Sequence, residues 1–318
     1  MLRCAILDDY QNAALRMADW GPLTGKVEVK SLRNHMAREE DVAAAIADCE
    51  IVVIMRERTP FGASMFARLP RLKLLITSGM RNGSIDLKAA AHHDVVVCGT
   101  ASGSSPPAEI TWALILGLAR HIAPENAALR SNGQWQSTVG SDLEGKQLGV
   151  IGLGKIGERV AKVGLAFNMK VAAWSSNLTA ERAAEVGVIH AGSLDRLLEE
   201  SDYVTIHVVL GDRSRGLLGA DQLRRMKPTA YLINTSRSAI VDQKALIEAL
   251  QQRAIAGAAL DVFDVEPLPA DHVFRRLDNL LATPHLGYVS ERNYRSYFSE
   301  AIEDIQAFLA NSPIRTLA

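Results

Sequence analysis

Cysteine is scarce in this sequence: Cys4, Cys49 and Cys98 are the only three. They show no metal-ligand spacing and form no even disulfide set, so no metal is expected and a reducing, cytoplasmic compartment is. Long apolar runs are missing too. The longest mostly apolar stretch, Ile110 to Ala119, falls far short of a bilayer span. The opening residues, MLRCAILDDY, carry charge at Arg3, Asp8 and Asp9 and lack the apolar run of a secretion signal. Nor is there an excess of one charge. Lys+Arg 35 against Asp+Glu 36 leaves a net charge of -1, so no overall basic field gathers nucleic acid or anionic lipid. Low-complexity segments and short-period repeats are absent. What is present, 48% hydrophobic and 22% charged residues in 318, fits a soluble globular protein of about two domains.

Strands and helices alternate along the chain. β-Branched or aliphatic runs occur at Arg3–Leu7, Val27–Ser31, Ile51–Met55, Leu72–Thr77 and Val95–Cys98 in the first half. The second half adds Gln147–Gly152, Lys170–Trp174, Tyr203–His207, Ala230–Asn234, Ala256–Asp261 and Asn279–Ala282. Helical patterns fill the spaces, among them Glu39–Ala47, Leu87–His92, Ile156–Phe167, Asp221–Met226 and Asp242–Gln252. This alternation implies two α/β units, each a parallel sheet with helices on both faces. Ser104-Ser105-Pro106-Pro107 is a helix-start signal. Ile110, Ala113, Leu114, Gly117 and Leu118 then repeat on one helical face, as a link between the units would. Ser290–Ala310 is again helical in pattern. Its return to the first unit would make that unit discontinuous.

Gly152-Leu153-Gly154-Lys155-Ile156-Gly157 fits G-x-G-x-x-G. The pattern alone is weak, but here it follows a strand and opens an apolar-periodic helix. In that context the first glycine makes the turn and the second admits a pyrophosphate. The third packs helix on strand, and the helix N-terminus attracts negative charge. A tight strand–helix turn without ligand is the plain alternative. A carboxylate about 20 residues on normally holds the ribose 2′-hydroxyl of NAD. Here Val171-Ala172-Ala173-Trp174-Ser175-Ser176-Asn177 has none before Glu181. Ser175, Ser176 and Asn177 could bond a 2′-phosphate without repelling it, and Arg182 lies nearby in sequence. NAD or NADP is therefore the expected cofactor, with NADP permitted.

Ligands of open α/β sheets bind outside the carboxyl ends of the strands, which filters the titratable residues. Of eight histidines, only His207 and His285 closely follow second-unit strands; His92 and His93 fall at a helix end, and His35, His121, His190 and His272 in connections or helix flanks. Arg237 follows the strand Ala230–Asn234, and Glu266 follows the strand ending at Asp261. These three types suit hydride transfer to a carbonyl. Histidine protonates the developing alkoxide. A carboxylate on its other ring nitrogen favours its charged form and fixes its orientation. Arginine grips a substrate carboxylate in a planar fork. A surface arginine, a loop glutamate and a capping histidine are the ordinary readings of each alone.

With these residues in place the chain resembles the D-isomer-specific 2-hydroxyacid dehydrogenase family over essentially its whole length. The matching stretches are the glycine loop, LINTSRSAIVDQKALIEAL, AALDVFDVEPLP and ATPHLGY. The resemblance implies two Rossmann-like parallel-sheet domains, flavodoxin-like and NAD(P)-binding, with a cleft between them and a homodimer formed through the cofactor domain. The substrate domain would be 1–99 plus 288–318, and the dinucleotide domain 100–287. The family's catalytic arginine, glutamate and histidine fall on Arg237, Glu266 and His285. Gly152, Gly154 and Gly157 match the pyrophosphate loop, with Lys155 and Ile156 offering amides, and Asp261 matches the aspartate that meets the nicotinamide carboxamide. His207 and Thr235 would flank the cofactor. Thr77-Ser78-Gly79-Met80 matches the loop whose backbone amides hold the substrate carboxylate.

Departures from the family pattern are Arg81-Asn82-Gly83-Ser84-Ile85-Asp86 after that loop, Val208-Val209 where a proline is common, and the missing ribose carboxylate. Arg56, Arg58 and Arg81 follow substrate-domain strands and would suit a phosphorylated or second carboxylate; Arg56 resembles an arginine that phosphoglycerate dehydrogenases place at this turn. Solvated surface arginines are the alternative. The expected function is hydride transfer between NAD(P) and C2 of a D-2-hydroxy acid, with a phosphoglycerate-, glyoxylate- or hydroxypyruvate-like substrate. Glutamate at position 266 disfavours formate oxidation. A dinucleotide-sensing binding protein or corepressor is the alternative on the same fold. No C-terminal regulatory module is expected. Trp135 is a further candidate, reaching a neighbouring subunit as in some relatives or simply packing at an interface or in the core.

Overall fold

Ile51-Val52-Val53-Ile54 and Leu74-Leu75-Ile76-Thr77 are buried at every position, the mark of strands covered on both faces. They lie at the centre of the first of two units into which the chain divides in the computed structural model, which describes residues 1–317. This first unit comprises Met1–Gly103 and Val289–Ala318, with Ala318 itself outside the described residues. Its strands are β1 (Leu2–Ile6), β2 (Val27–Ser31), β3 (Ile51–Ile54), β4 (Leu74–Thr77) and β5 (Val96–Gly99). All pair in parallel in the order β2-β1-β3-β4-β5. That is the flavodoxin-like winding.

The helix Glu291–Leu309 belongs to this unit. It buries Tyr294, Tyr297, Phe298, Ala301, Ile302 and Ile305, which recur every three or four residues and so form one stripe. After it the chain runs back along β5: Gly99 donates to the Arg315 carbonyl at 3.0 Å and Leu317 to that of Val97 at 2.8 Å. This antiparallel return covers the β5 edge, which would otherwise expose unpaired backbone groups.

The second unit is Ser104–Tyr288, so the divisions fall at 103/104 and 288/289, a few residues beyond 99 and 287. Its strands are β6 (Gln147–Ile151), β7 (Lys170–Trp174), β8 (Ile189–His190), β9 (Tyr203–Ile206), β10 (Tyr231–Asn234), β11 (Gly257–Leu260) and β12 (Leu280–Ala282). They form one parallel sheet in the order β12-β11-β10-β9-β6-β7-β8. His190, expected in a connection, is in the short edge strand β8.

Two apolar layers sandwich this sheet. One gathers Leu197, Leu223, Leu246 and Leu250; the other gathers Trp112, Ile115, Val160 and Val186. The helix Ser105–Ala119, with its prolines in the first turn, is part of the second layer, where Trp112 Nε1 donates to the Val160 carbonyl at 3.2 Å. Among the described residues no helix is long and apolar enough to cross a membrane.

Candidate active site

The winding of the second sheet reverses at β6. From there the chain builds β7 and β8 to one side, then crosses back to lay β9 through β12 on the other. A crevice opens outside the carboxyl ends of the strands at such a point. The residues that emerge there are Gly152–Gly157 after β6 and His207 after β9. Gly152 has φ +99°, and a Cβ on it would lie 2.8 Å from the His207 backbone. At Gly157 a Cβ would meet the Gly152 carbonyl oxygen at 1.9 Å, so side chains are excluded and helix and loop touch. Gly154 differs: it caps the helix Lys155–Ala166, and a Cβ there would meet nothing within 4 Å. The space beside it is open, and the first-turn amides, including Lys155, Ile156 and Gly157, have no acceptor within the helix. Open space, bare amides and the positive end of the helix together fit a pyrophosphate.

A pocket of about 670 Å³ adjoins this loop. Gly152, Gly154, Ser175, Ser176, Asn177 and His207 line it. The structure therefore brings the glycine loop, the end of β7 and His207 to one place. His207 is half-buried, and its Nε2 lies 2.9 Å from Thr205 Oγ1. Desolvation pushes its pKa down to about 3, so near neutral pH it is uncharged.

His285 is placed differently. It follows β12 with φ +55°, an uncommon left-handed conformation that histidine tolerates better than most side chains. Asp261, at the end of β11 and fully buried, braces the turn around it. Its carboxylate accepts Thr283 Oγ1 at 2.6 Å and the amides of Leu286 and Gly287 at 2.7 Å each. The turn is thus clamped on both sides of His285. Burial raises the Asp261 pKa, while the Thr283 and backbone bonds oppose the rise. His285 Nδ1 lies 2.7 Å from Glu266 Oε2. The other oxygen of Glu266 accepts the Phe263 amide at 2.9 Å, which fixes the carboxylate, and Tyr288 meets the imidazole edge-on at 5.5 Å.

Arg237 begins the 3-10 turn Ser238–Ile240 after β10. Buried Asn234 frames its loop, donating to the Arg237 carbonyl at 3.0 Å and accepting the Ser236 amide at 3.0 Å. One guanidinium nitrogen donates to the Ser236 carbonyl at 2.8 Å. Thr235 Oγ1 lies 2.8 Å from Thr111 Oγ1, a bond that ties β10 to the helix Ser105–Ala119. Arg237, Glu266 and His285 thus follow three neighbouring parallel strands and share the carboxyl edge of the sheet with the glycine loop.

In the first unit, Arg56 has φ +56° and donates its amide to Ser78 Oγ at 2.9 Å. Its guanidinium lies over Gly79, where a Cβ would come 2.2 Å from a terminal nitrogen. Two of the loop amides expected to hold a carboxylate are already engaged. Ser78 donates to the Ile54 carbonyl at 3.1 Å and Gly79 to Thr100 Oγ1 at 3.1 Å. The ladder and the Thr100 hydroxyl claim them because both residues are buried in the sheet edge or against it. Met80 and Arg81 are exposed.

Sequence reasoning named Asp261 for the cofactor alone, and its hold on the His285 turn is an additional role. The same reasoning missed one contributor. Arg213, in the loop after His207, lines the pocket and donates to Asn177 Oδ1 at 3.3 Å. The signal for it was its position after a strand end, the filter that selected His207. Arg182, which sequence proximity did suggest, also lines the pocket but is paired with Glu158 and, at 3.1 Å, with Glu185.

Residues 112–287 match the family model described as D-isomer specific 2-hydroxyacid dehydrogenase, NAD binding domain. The D-3-phosphoglycerate dehydrogenase of Bacillus subtilis (strain 168) is 33% identical over 99% of this chain, which spans only 58% of that relative's length. A glyoxylate reductase of Korarchaeum cryptofilum is 35% identical, with 83% of this chain and 80% of the relative covered. Among solved structures, a phosphoglycerate oxidoreductase from Vibrio cholerae O395 superposes with a TM-score of 0.92 at 34% identity, covering 98% of this chain and all of that one.

Proposed function

The chain belongs to the D-isomer-specific 2-hydroxyacid dehydrogenase family, and on that premise we propose that it is an oxidoreductase interconverting a 2-oxo acid and a D-2-hydroxy acid. A bound nicotinamide dinucleotide supplies or accepts the hydride at C2. Gly152, Gly154 and the amides of Lys155, Ile156 and Gly157 hold its pyrophosphate, and Ser175, Ser176, His207 and Thr235 lie along the segments that flank it. Asp261 retains acceptor capacity for one further donor, such as a carboxamide, beside the three it already binds.

His285 is the proton donor to the substrate oxygen during reduction and the acceptor in the reverse direction. Glu266 orients the ring through Nδ1, and Nε2 is the atom proposed to exchange the proton with the substrate. Arg237 binds and polarises the 2-oxo acid. The 2.7 Å contact between His285 and Glu266 carries this reading, because binding alone needs no acid–base pair. The same contact disfavours a purely dinucleotide-sensing role.

Substrates of the glyoxylate, hydroxypyruvate or phosphoglycerate type are proposed, in keeping with the names of the relatives. Arg56, Arg81 and the loop Ser78–Met80 are proposed as the first unit's substrate contacts, although the Arg56 guanidinium already lies 3.6 Å from Glu57 and 3.5 Å from the Ser78 carbonyl. A homodimer is proposed as well, supported by exposed apolar residues in the segment that includes Leu129, Trp135 and Val139. The three cysteines are free and buried, consistent with a cytoplasmic setting.

The test is single-turnover oxidation of NADH and NADPH against a panel of 2-oxo acids. His285→Ala should lose about 10²-fold or more in rate while binding dinucleotide as before. An unchanged rate would remove His285 from the mechanism. Absence of turnover with every 2-oxo acid, alongside tight dinucleotide binding, would favour the sensing role.

A further inference from the structure

The pocket beside the glycine loop has an uneven charge lining. Its cations are Arg182 and Arg213, and its one acidic residue is Asp212. The two arginines differ in what they already hold. Arg182 is engaged on both sides by Glu158 and Glu185, so its charge is largely spent within the protein. Arg213 is exposed, and its bond is to a neutral group, the side-chain oxygen of Asn177 at 3.3 Å. That places a guanidinium, unneutralised by any carboxylate among the described residues, against the residues that follow β7. In this fold that strand end faces the ribose of the adenosine half, where a carboxylate binds a 2′-hydroxyl and an arginine accommodates a 2′-phosphate.

We infer that Arg213, reaching over from the loop after β9, is the 2′-phosphate anchor of this chain, and that it makes the protein NADP(H)-preferring. Ser175, Ser176 and Asn177 complete the site as neutral donors. They can bond phosphate oxygens without the repulsion that an aspartate or glutamate at this position would impose. Arg213 supplies the charge and a fork suited to a phosphate, and its present bond to Asn177 already holds it at the strand end. Asp212 is the counter-candidate, since a carboxylate in this pocket could grip the ribose hydroxyls of NAD instead. Its neighbour's orientation favours the phosphate, because it is Arg213 that the strand end engages. The inference rests on the dehydrogenase reading but names a specificity residue that reading does not require.

Trp174 lines the same pocket, so quenching of its fluorescence reports binding without turnover. The experiment measures Kd for NADPH, NADH, adenosine 2′,5′-bisphosphate and adenosine 5′-monophosphate on the full chain. Wild type should bind NADPH about tenfold or more tightly than NADH. Arg213→Ala should weaken NADPH and the bisphosphate by about 10- to 100-fold, the scale of charge-assisted hydrogen bonds, and leave NADH and the monophosphate within about twofold. Arg213→Lys should recover part of the loss. Arg182→Ala should cost less than Arg213→Ala. Equal affinity for the two dinucleotides, equal losses on both in Arg213→Ala, or an NADH preference abolished by Asp212→Asn would each overturn the assignment while leaving the dehydrogenase reading intact. Failure of either dinucleotide to bind would overturn both.

Discussion

Glu266 Oε2 lies 2.7 Å from His285 Nδ1, and the opposite oxygen of the same carboxylate is held by the Phe263 amide. One oxygen is thus anchored on backbone while the other faces the imidazole. Replacing it by the neutral isostere separates charge from geometry. Glu266→Gln should lower kcat for 2-oxo acid reduction by about 10- to 100-fold, at or below the lower end of general acid–base contributions because His285 itself remains. Dinucleotide affinity should stay within about twofold, because the glycine loop lies after a different strand. An unchanged kcat would mean that the charge on Glu266 contributes nothing to proton transfer.

Asp261 should act on the rate through His285. Asparagine at this position keeps one acceptor oxygen but presents an NH₂ group where the carboxylate now accepts either Thr283 Oγ1 and the Leu286 amide or the Gly287 amide. A donor would then face a donor in a buried site. Asp261→Asn should cost about 1–3 kcal/mol of stability and lower kcat, since the left-handed turn at His285 loses its clamp. Thermal unfolding measured beside steady-state kinetics checks both halves. Full stability with full activity would show that the turn holds itself.

The glycines of the loop should separate into a packing group and a ligand group. At Gly157 a Cβ would meet backbone at 1.9 Å, so Gly157→Ala should lower the melting temperature and abolish dinucleotide binding together. At Gly154 a Cβ would enter open space, and φ is −82°, which alanine adopts freely. Gly154→Ala should therefore leave the melting temperature within about 2 °C, the small change expected where no packing is disturbed, and weaken dinucleotide binding alone. Equal binding in wild type and Gly154→Ala would show that no ligand approaches there.

Much of this site was legible because its chemistry follows strand ends. Each of Gly152, Arg237, Glu266 and His285 comes just after an apolar run, and parallel α/β winding sends all such residues to one edge. What was not legible depends on side-chain closure across distant segments. Nothing local marks Asp261 as the clamp of a turn more than 20 residues later, or Asn234 as the frame of the Arg237 loop. Nothing in the Ser78 and Gly79 segment reveals that Ile54 and Thr100 have claimed its amides. The helix Ile122–Arg130 escaped for another reason: it buries no residue, so it has no apolar stripe to betray it. Arg182 was named and Arg213 was not because sequence proximity is a poor guide to which guanidinium remains available.

Asp304 gives the first unit a pH dependence of its own. It lies on the helix Glu291–Leu309, fully buried, and Arg315 Nε donates to Oδ1 at 2.9 Å while Oδ2 has no hydrogen-bond partner among the described residues. Burial pushes its pKa up to about 7, with Arg315 only partly opposing the rise. The unfolded chain releases this proton near the ordinary 3.8, so between about 4 and 7 the folded state binds more of it. Stability should accordingly be greatest below that window, fall as pH rises through it, and level off above about 7. At roughly 1.4 kcal/mol for each pKa unit, the contribution is on the order of 4 kcal/mol. Asp304→Asn cannot titrate, and its amide can still accept from Arg315. Urea midpoints at pH 5 and pH 8 should therefore differ more in wild type than in Asp304→Asn, with the variant gaining relative stability at pH 8. A constant difference between the two proteins across that range would show that Asp304 stays ionised in the folded chain and that Arg315 fully compensates its burial.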